Sequence, residues 1–133
     1  MKVINHIIHV EDDPITTMLV GMIIKQNEKI LNASSFQNGQ LAFDAIISNF
    51  ELNGKLPDLI LLDINMPVMD GWEFLEAMVS YPQPNAVPVV ILSSSINPVD
   101  IEKARNYPRV RGFFSKPLTH ENFDKIIQLI LSV

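Results

Sequence analysis

Leu59-Ile60-Leu61-Leu62-Asp63 is the stretch that decides how the rest of this chain is read. Four consecutive apolar residues, introduced by Pro57-Asp58, predict a strand buried on both faces. A carboxylate follows, then Ile64-Asn65-Met66-Pro67, so Asp63 stands at the carboxyl end of that strand. In open α/β sheets ligands bind at that end. A carboxylate held there away from water needs a counter-charge or a chemical role.

Working outward, four more strand–helix pairs come into view. His6-Ile7-Ile8-His9-Val10 reads as a first strand ending in Glu11-Asp12-Asp13-Pro14. Pro14 suits the first position of a helix and Asp13 the cap before it. Ile15, Met18, Leu19, Met22 and Ile23 are spaced as the buried face of that helix. Ile30 to Phe36 is a polar strand fitted to a sheet edge. Gln37-Asn38-Gly39 turns into a second helix with Ala42, Ala45, Ile46 and Phe50 as core contacts, stopped at Asn53-Gly54. After Asp63, Asp70 and Glu73 have capping-box spacing for a third helix that buries Trp72, Leu75, Met78 and Val79. A loop with two prolines, Pro82 and Pro84, leads to a fourth strand, Pro88 to Leu92, which ends in Ser93-Ser94-Ser95. Asn97-Pro98 starts a short fourth helix. Val110 to Phe114 is a fifth strand ending in Ser115-Lys116-Pro117. Thr119 caps a last helix whose inner face is Phe123, Ile126, Ile127 and Ile130, with Leu118 stapled to Phe123.

Strands alternating with helices predict a parallel sheet with right-handed crossovers. The first, third and fourth strands are the most apolar, hence central; the second and fifth are mixed, hence edges. The expected fold is α/β, a flavodoxin-like doubly wound (βα)5 sheet in strand order 2-1-3-4-5. The 133 residues suffice for one domain, 1–133, with no output domain expected. A composition 47% hydrophobic and 19% charged fits a globular protein, and a net charge of −5 disfavours direct nucleic-acid binding. Without cysteine there is neither a disulfide framework nor a thiolate metal site. No apolar run approaches the roughly 18 residues of a membrane span, and the polar N-terminus is no secretory signal. No membrane association and a cytoplasmic location are therefore expected.

This topology gathers Glu11 and Asp12 from the first strand, Asp63 from the third, Ser93 from the fourth and Lys116 from the fifth at one end of the sheet. Two unit charges about 5 Å apart at an effective dielectric near 20 repel by roughly 3 kcal/mol. An oxygen-seeking dication removes that cost, and carboxylates with a backbone carbonyl and waters suit Mg²⁺. Phosphoryl chemistry follows, with an aspartate as acceptor and Lys116 and the Ser93 hydroxyl as holders of phosphoryl oxygens. The histidines do not join in: His6 and His9 are three apart on a strand and face opposite sides, and His120 begins a helix facing solvent. Asp13 and Asp70 read as caps. No G-x-x-x-x-G-K-[ST] is present, which excludes a P-loop nucleotide switch.

Val10-Glu11-Asp12-Asp13-Pro14, Asp63-Ile64-Asn65-Met66-Pro67-Val68-Met69-Asp70-Gly71, Ser93-Ser94 and Lys116-Pro117 together resemble the signature of response-regulator receiver domains, the phospho-accepting halves of two-component systems. The resemblance spans essentially the whole chain. It implies that Asp63 is phosphorylated, that Asp12 binds Mg²⁺ (or Mn²⁺) directly and Glu11 through a water, and that Asn65 gives the metal its backbone carbonyl. Asp63 itself would complete that metal site. It further implies that Ser93 bonds a phosphoryl oxygen after transfer, that Lys116 pairs with the phosphoryl group, and that the Lys116–Pro117 bond is cis. Phe113 takes the switch-aromatic position, and Asn65 and Ser95 sit where side chains tune phosphate lifetime.

The implied partners are a sensor histidine kinase or histidine phosphotransfer protein and a downstream protein target. The latter would be engaged through the face made by the fourth helix, fifth strand and fifth helix, with room for a phosphorylation-dependent dimer. Two departures stand out. Phe113 replaces a frequent tyrosine, which leaves a packing switch and removes a polar one. Arg105-Asn106-Tyr107-Pro108-Arg109 replaces a small glycine-containing turn, so partner choice does not carry over. Two other functions compete. An aspartyl-phosphate hydrolase would need an acid where Asn65 stands. A phosphorylation-independent flavodoxin-like binding module would have no use for the acidic, hydroxyl and lysine set. The expected role is a signalling switch, not a turnover enzyme.

Overall fold

The computed structural model describes residues 2–81, 87–94 and 96–132. Five strands alternate with five helices: β1 (Ile4–Val10), α1 (Pro14–Lys25), β2 (Ile30–Phe36), α2 (Gly39–Asn53), β3 (Leu59–Asp63), α3 (Gly71–Val79), β4 (Val89–Ser93), α4 (Pro98–Ala104), β5 (Val110–Ser115) and α5 (His120–Leu131). All strand pairs are parallel, in the order β2-β1-β3-β4-β5, the flavodoxin-like order expected from the apolar content of the strands. The loop carrying Pro82 and Pro84 lies outside the described residues.

β3 is the axis of the molecule. All five of its residues are buried. Leu59 and Leu61 face one layer, with Val20 and Ile24 of α1 and Phe123, Ile126 and Ile127 of α5. Ile60 and Leu62 face the other, with Ala42 and Ile46 of α2 and Phe74, Leu75 and Met78 of α3. Each such aliphatic side chain withdrawn from water contributes about 2 kcal/mol, so the apolar run specifies a central strand. Register then fixes the site: Asp63 pairs with Leu92 of β4, and Val10 pairs with Leu62 of β3. The carboxyl ends of β1, β3 and β4 therefore finish side by side.

The helix starts follow from side-chain caps. Asp13, Asn38, Asn97 and Thr119 each accept from a backbone amide three residues on. Asp70 and Glu73 form the reciprocal capping box. Gly54 ends α2 at φ +67°, a conformation natural to glycine. The Lys116–Pro117 bond is cis, as the resemblance implied.

Two helix faces differ from expectation. On α1, Ile15, Met18, Leu19 and Met22 are 64, 58, 46 and 52% exposed, and Ile23 is half-buried; Val20 and Ile24 are the buried residues. This helix is apolar on almost every side, so a helical spacing can be found on two of its faces, and the sequence pattern picks the outer one. On α3, Val79 is 55% exposed and Phe74 is fully buried. The capping box at Asp70 sets the rotational phase of that short helix and turns Phe74 inward. Trp72 is half-buried at the rim.

Candidate functional site

The site is assembled by strand ends and by one tight loop. Glu11 follows β1 directly; its amide donates to the Phe36 carbonyl at 2.9 Å, and the residue is 2% exposed. Asp63 closes β3 and is 4% exposed. Asp12 is exposed at the rim. Glu11, Asp12 and Asp63 each offer a carboxylate oxygen, and these three oxygens lie within 4.8 Å of one another. Lys116 follows β5 and reaches back between them. Its Nζ lies 2.6 Å from Glu11 Oε1 and 3.4 Å from Asp63 Oδ1. The Lys116 amide donates to the Ser93 carbonyl at 2.8 Å, which ties β5 to β4 at the site.

Three carboxylates facing one ammonium leave excess negative charge. Burial pushes the Glu11 carboxyl up to about 7, with Asp63 adding repulsion and Lys116 opposing both. For Lys116, burial works against the charged form, but Glu11 and Asp63 outweigh it and the ammonium is held above its ordinary value. A site of hard oxygen donors with one charge too many is suited to a hard dication, and it contains no soft ligand. The residues present fit Mg²⁺ or Mn²⁺.

The loop after β3 holds Asp63 in place. Asn65 N donates to Asp63 Oδ1 at 3.3 Å. The Gly71 amide donates to the Ile64 carbonyl at 2.8 Å, and a Cβ on Gly71 would come within 2.7 Å of Ile64 Cα and 2.8 Å of the Asp63 carbonyl oxygen. Only glycine lets α3 start this close to Asp63. Between them the chain makes a three-residue turn: Met69 N donates to the Pro67 carbonyl at 2.8 Å and Val68 takes φ +69°. A β-branched residue in that region is strained. The Met69 carbonyl accepts from the Gly39 amide at 3.2 Å, so the loop is also anchored to the start of α2.

The structure thus brings Glu11, Asp12, Asp63 and Lys116 together and sets Ser93, buried at 1%, at the same end of the sheet. Asn65 is exposed on the loop. Phe113 lies lower on β5, paired with Ile91 and half-buried against Ile64, Ile91 and Ala104. Ser95 lies outside the described residues. Sequence reasoning had Lys116 awaiting a phosphoryl group; in the structure its shorter ion pair is to Glu11. It also named two residues, Gly71 and His9, without giving either a part in the site. Gly71 was legible as part of the Asp-Gly step. His9 gave no signal beyond its inward parity on β1. It is buried beside the site, and burial first and Lys116 second pull its imidazole down to about 4.

Comparison with known proteins agrees with this geometry. The family described as response regulator receiver domain matches residues 7–128. Response regulator Rcp1 of Synechocystis sp. is 32% identical over 127 residues, covering 95% of this chain and 86% of Rcp1. A two-component response regulator from Cytophaga hutchinsonii superposes with a TM-score of 0.89 at 30% identity, covering 99% of this chain and all of that one. The Mn²⁺-bound form of Rcp1 superposes with a TM-score of 0.72 at 29% identity, covering 96% and 91%. With its fold, its acidic end and the extent of these matches, the chain belongs to the response regulator receiver domains and has their phosphorylation-accepting signalling role.

Proposed function

We propose that Asp63 is the residue that takes the phosphoryl group, from a phosphohistidine of a sensor kinase or phosphotransfer protein. The observation that carries this is the placing of Asp63, buried at the end of β3 with two further carboxylates within 4.8 Å and an ammonium at 3.4 Å. A carboxylate oxygen of Asp63 attacks phosphorus. The new P–O bond forms as the P–N bond to imidazole breaks, and the donor nitrogen keeps the electron pair. Lys116, already poised between Glu11 and Asp63, supplies positive charge to one phosphoryl oxygen, and the Ser93 hydroxyl donates to another. Asp12, Asp63 and the Asn65 carbonyl, with Glu11 through a water, are the groups that would hold Mg²⁺ or Mn²⁺. When bound, the ion neutralises phosphoryl oxygens and relieves the repulsion among the carboxylates.

After transfer, Ser93 moves toward the phosphoryl group and Phe113 follows into the space vacated, by packing alone because it has no hydroxyl. The altered face of α4, β5 and α5 then selects a downstream protein. Asn65 flanks the phosphoryl group, and the side chains of Asn65 and, by the family resemblance, Ser95 tune how long it survives. The protein works as a cytoplasmic switch that catalyses only its own phosphorylation and slow reset. No helix among the described residues is long and apolar enough to cross a membrane.

Intact mass after incubation with Mg²⁺ and acetyl phosphate tests the assignment. Wild type gains a single phosphoryl adduct that chelator prevents, and Asp63→Asn gains none. An adduct of equal yield on Asp63→Asn would move the acceptor elsewhere.

A further inference from the structure

β2 is a sheet edge without the usual protections. Its seven residues, Ile30-Leu31-Asn32-Ala33-Ser34-Ser35-Phe36, include no charge and no proline, and it keeps one register against β1 from Ile4–Ile30 to Val10–Phe36. Native proteins blunt such an edge with lysine, proline or a bulge, because its unpaired backbone groups accept another strand. The opposite edge follows that practice. β5 carries the exposed Arg111, and its register against β4 shifts between Val89 and Val90.

The ladder fixes which groups of β2 are free. The Asp58 amide donates to the His6 carbonyl at 2.9 Å, so His6 faces β3, and alternation along β1 turns Ile7, His9 and Glu11 toward β2. The Glu11 amide accordingly donates to the Phe36 carbonyl at 2.9 Å. Phe36, Ser34 and Asn32 therefore face β1, and the N–H and C=O groups of Ala33 and Ser35 face outward. The side chains of Leu31, Ala33 and Ser35 stand on the α1 side of the sheet, all exposed.

What pairs with this edge follows from its symmetry, since β2 has nearly the same character read in either direction from Ala33. A two-fold axis through Ala33, perpendicular to the sheet, lays a second β2 antiparallel beside the first. Ala33 then meets the Ala33 of the second copy, and the two exchange both their backbone hydrogen bonds. Leu31 falls opposite Ser35, Asn32 opposite Ser34, and Ile30 opposite Phe36. Amide meets hydroxyl and β-branched meets aromatic, which are favourable cross-strand pairs. Leu31 is the diagonal neighbour of the small Ala33 across the axis, which leaves room for both leucines. Glu28 and Lys29 fall opposite Asn38 and Gln37, so no like charges are apposed.

We infer that β2 is a homodimerisation edge, on which a second copy of this chain pairs antiparallel about Ala33 and joins two five-stranded sheets into one. Both copies use the same edge, so the assembly closes at two. A single strand pair is smaller than the roughly 800 Å² per partner of a standard interface, so the dimer forms at high protein concentration. It requires no phosphorylation, leaves the α4–β5–α5 face at the other edge open, and sets the two acidic sites at opposite ends of the joined sheet.

Sedimentation velocity on the intact chain, from roughly 10 μM to 1 mM, reads out association. Wild type rises from its monomer mass of 15.0 kDa toward twice that value. Ala33→Lys, a change at an exposed position, sets two ammonium groups against each other on the axis and stays monomeric with unchanged circular dichroism. The register is read by cross-linking, because the chain has no cysteine. A hydrogen-bonded antiparallel pair has its Cα atoms about 5.5 Å apart, within the range a disulfide spans. Under mild oxidation Ala33→Cys cross-links about tenfold faster than Leu52→Cys, because association holds its thiols in bridging range. Leu52, 80% exposed near the end of α2, is the control away from the edge. Wild type that stays monomeric at 1 mM overturns the proposal and leaves the edge to an extended segment of a different protein. Association unaffected by Ala33→Lys, or cross-linking of Ala33→Cys no faster than that of Leu52→Cys, overturns it as well.

Discussion

His9 is the residue whose environment is hardest to reconcile with its type. It lies on the α1 side of the sheet, lining a cleft with Thr17, Gly21 and Ile24, is 3% exposed, and its Nε2 has no hydrogen-bond partner among the described residues. Burial and the nearby Lys116 ammonium keep the ring neutral, with its titration pulled from 6.5 to about 4. The folded state therefore binds the proton more weakly than the unfolded chain does. Stability that is fully present above pH 6.5 is lost as pH falls through 4, up to about 3 kcal/mol from this one group. His9→Val removes both the unpaired nitrogen and the titration. Urea unfolding should find the variant at least as stable as wild type at pH 7.5, and about 2 kcal/mol more stable relative to wild type near pH 4.5. An equal difference at both pH values would show that His9 does not carry the acid sensitivity.

Among the elements, the join between β3 and α3 governs the site most directly. Asp63 is held from behind by the close approach of Gly71 to the Asp63 and Ile64 backbone, and the strained turn at Val68 lies between the two. A methyl group on Gly71 has nowhere to go, because the atoms it would strike are backbone. Gly71→Ala is expected to cost about 2 kcal/mol in denaturant unfolding and to lower the rate of adduct formation from acetyl phosphate, as Asp63 is pushed out of line with Lys116. Gly21→Ala is the control, since nothing lies within 4 Å of its added Cβ. Retained stability in Gly71→Ala would mean that the loop relaxes without strain. This join was legible in part. The Asp70 cap and its box with Glu73 could be read from spacing. The contact behind Asp63 could not, because it is made across a loop whose path depends on the turn at Val68.

Across the whole molecule, the site is linked to α4 through a small apolar cluster. Ile64, adjacent to Asp63, packs with Ile91 and Ala104, and Phe113, Val110 and Trp72 close around them. Trp72 in turn stacks on Tyr107 at 6.1 Å between ring centroids, and Lys103 of α4 lies 4.7 Å from its ring centroid. The Tyr107 hydroxyl donates to Glu76 of α3 at 2.8 Å, and Arg109 Nη2 donates to the Met78 carbonyl at 3.0 Å. The Arg105–Arg109 segment, a departure when read as sequence, is thus a brace between α3 and α4. Trp72 is the single tryptophan of the chain, so its emission reports on this brace. Phosphorylation should change both the intensity of Trp72 fluorescence and its quenching by acrylamide, and Asp63→Asn should abolish the change. A phosphorylated protein with unaltered emission would place the structural response outside this cluster.

Strand order and the gathering of Glu11, Asp12, Asp63, Ser93 and Lys116 at one end of the sheet were determined by the sequence alone. Each rests on local chemistry: a fully apolar run must be central, a polar one must be an edge, and parallel strands must end together. Tertiary structure decided which face of α1 is buried, which residue of α3 fills the core, and which carboxylate Lys116 holds. Those choices depend on rotation about a helix axis and on reach between side chains far apart in sequence. An all-round apolar helix and a flexible four-carbon side chain leave both undetermined until the sheet is in place.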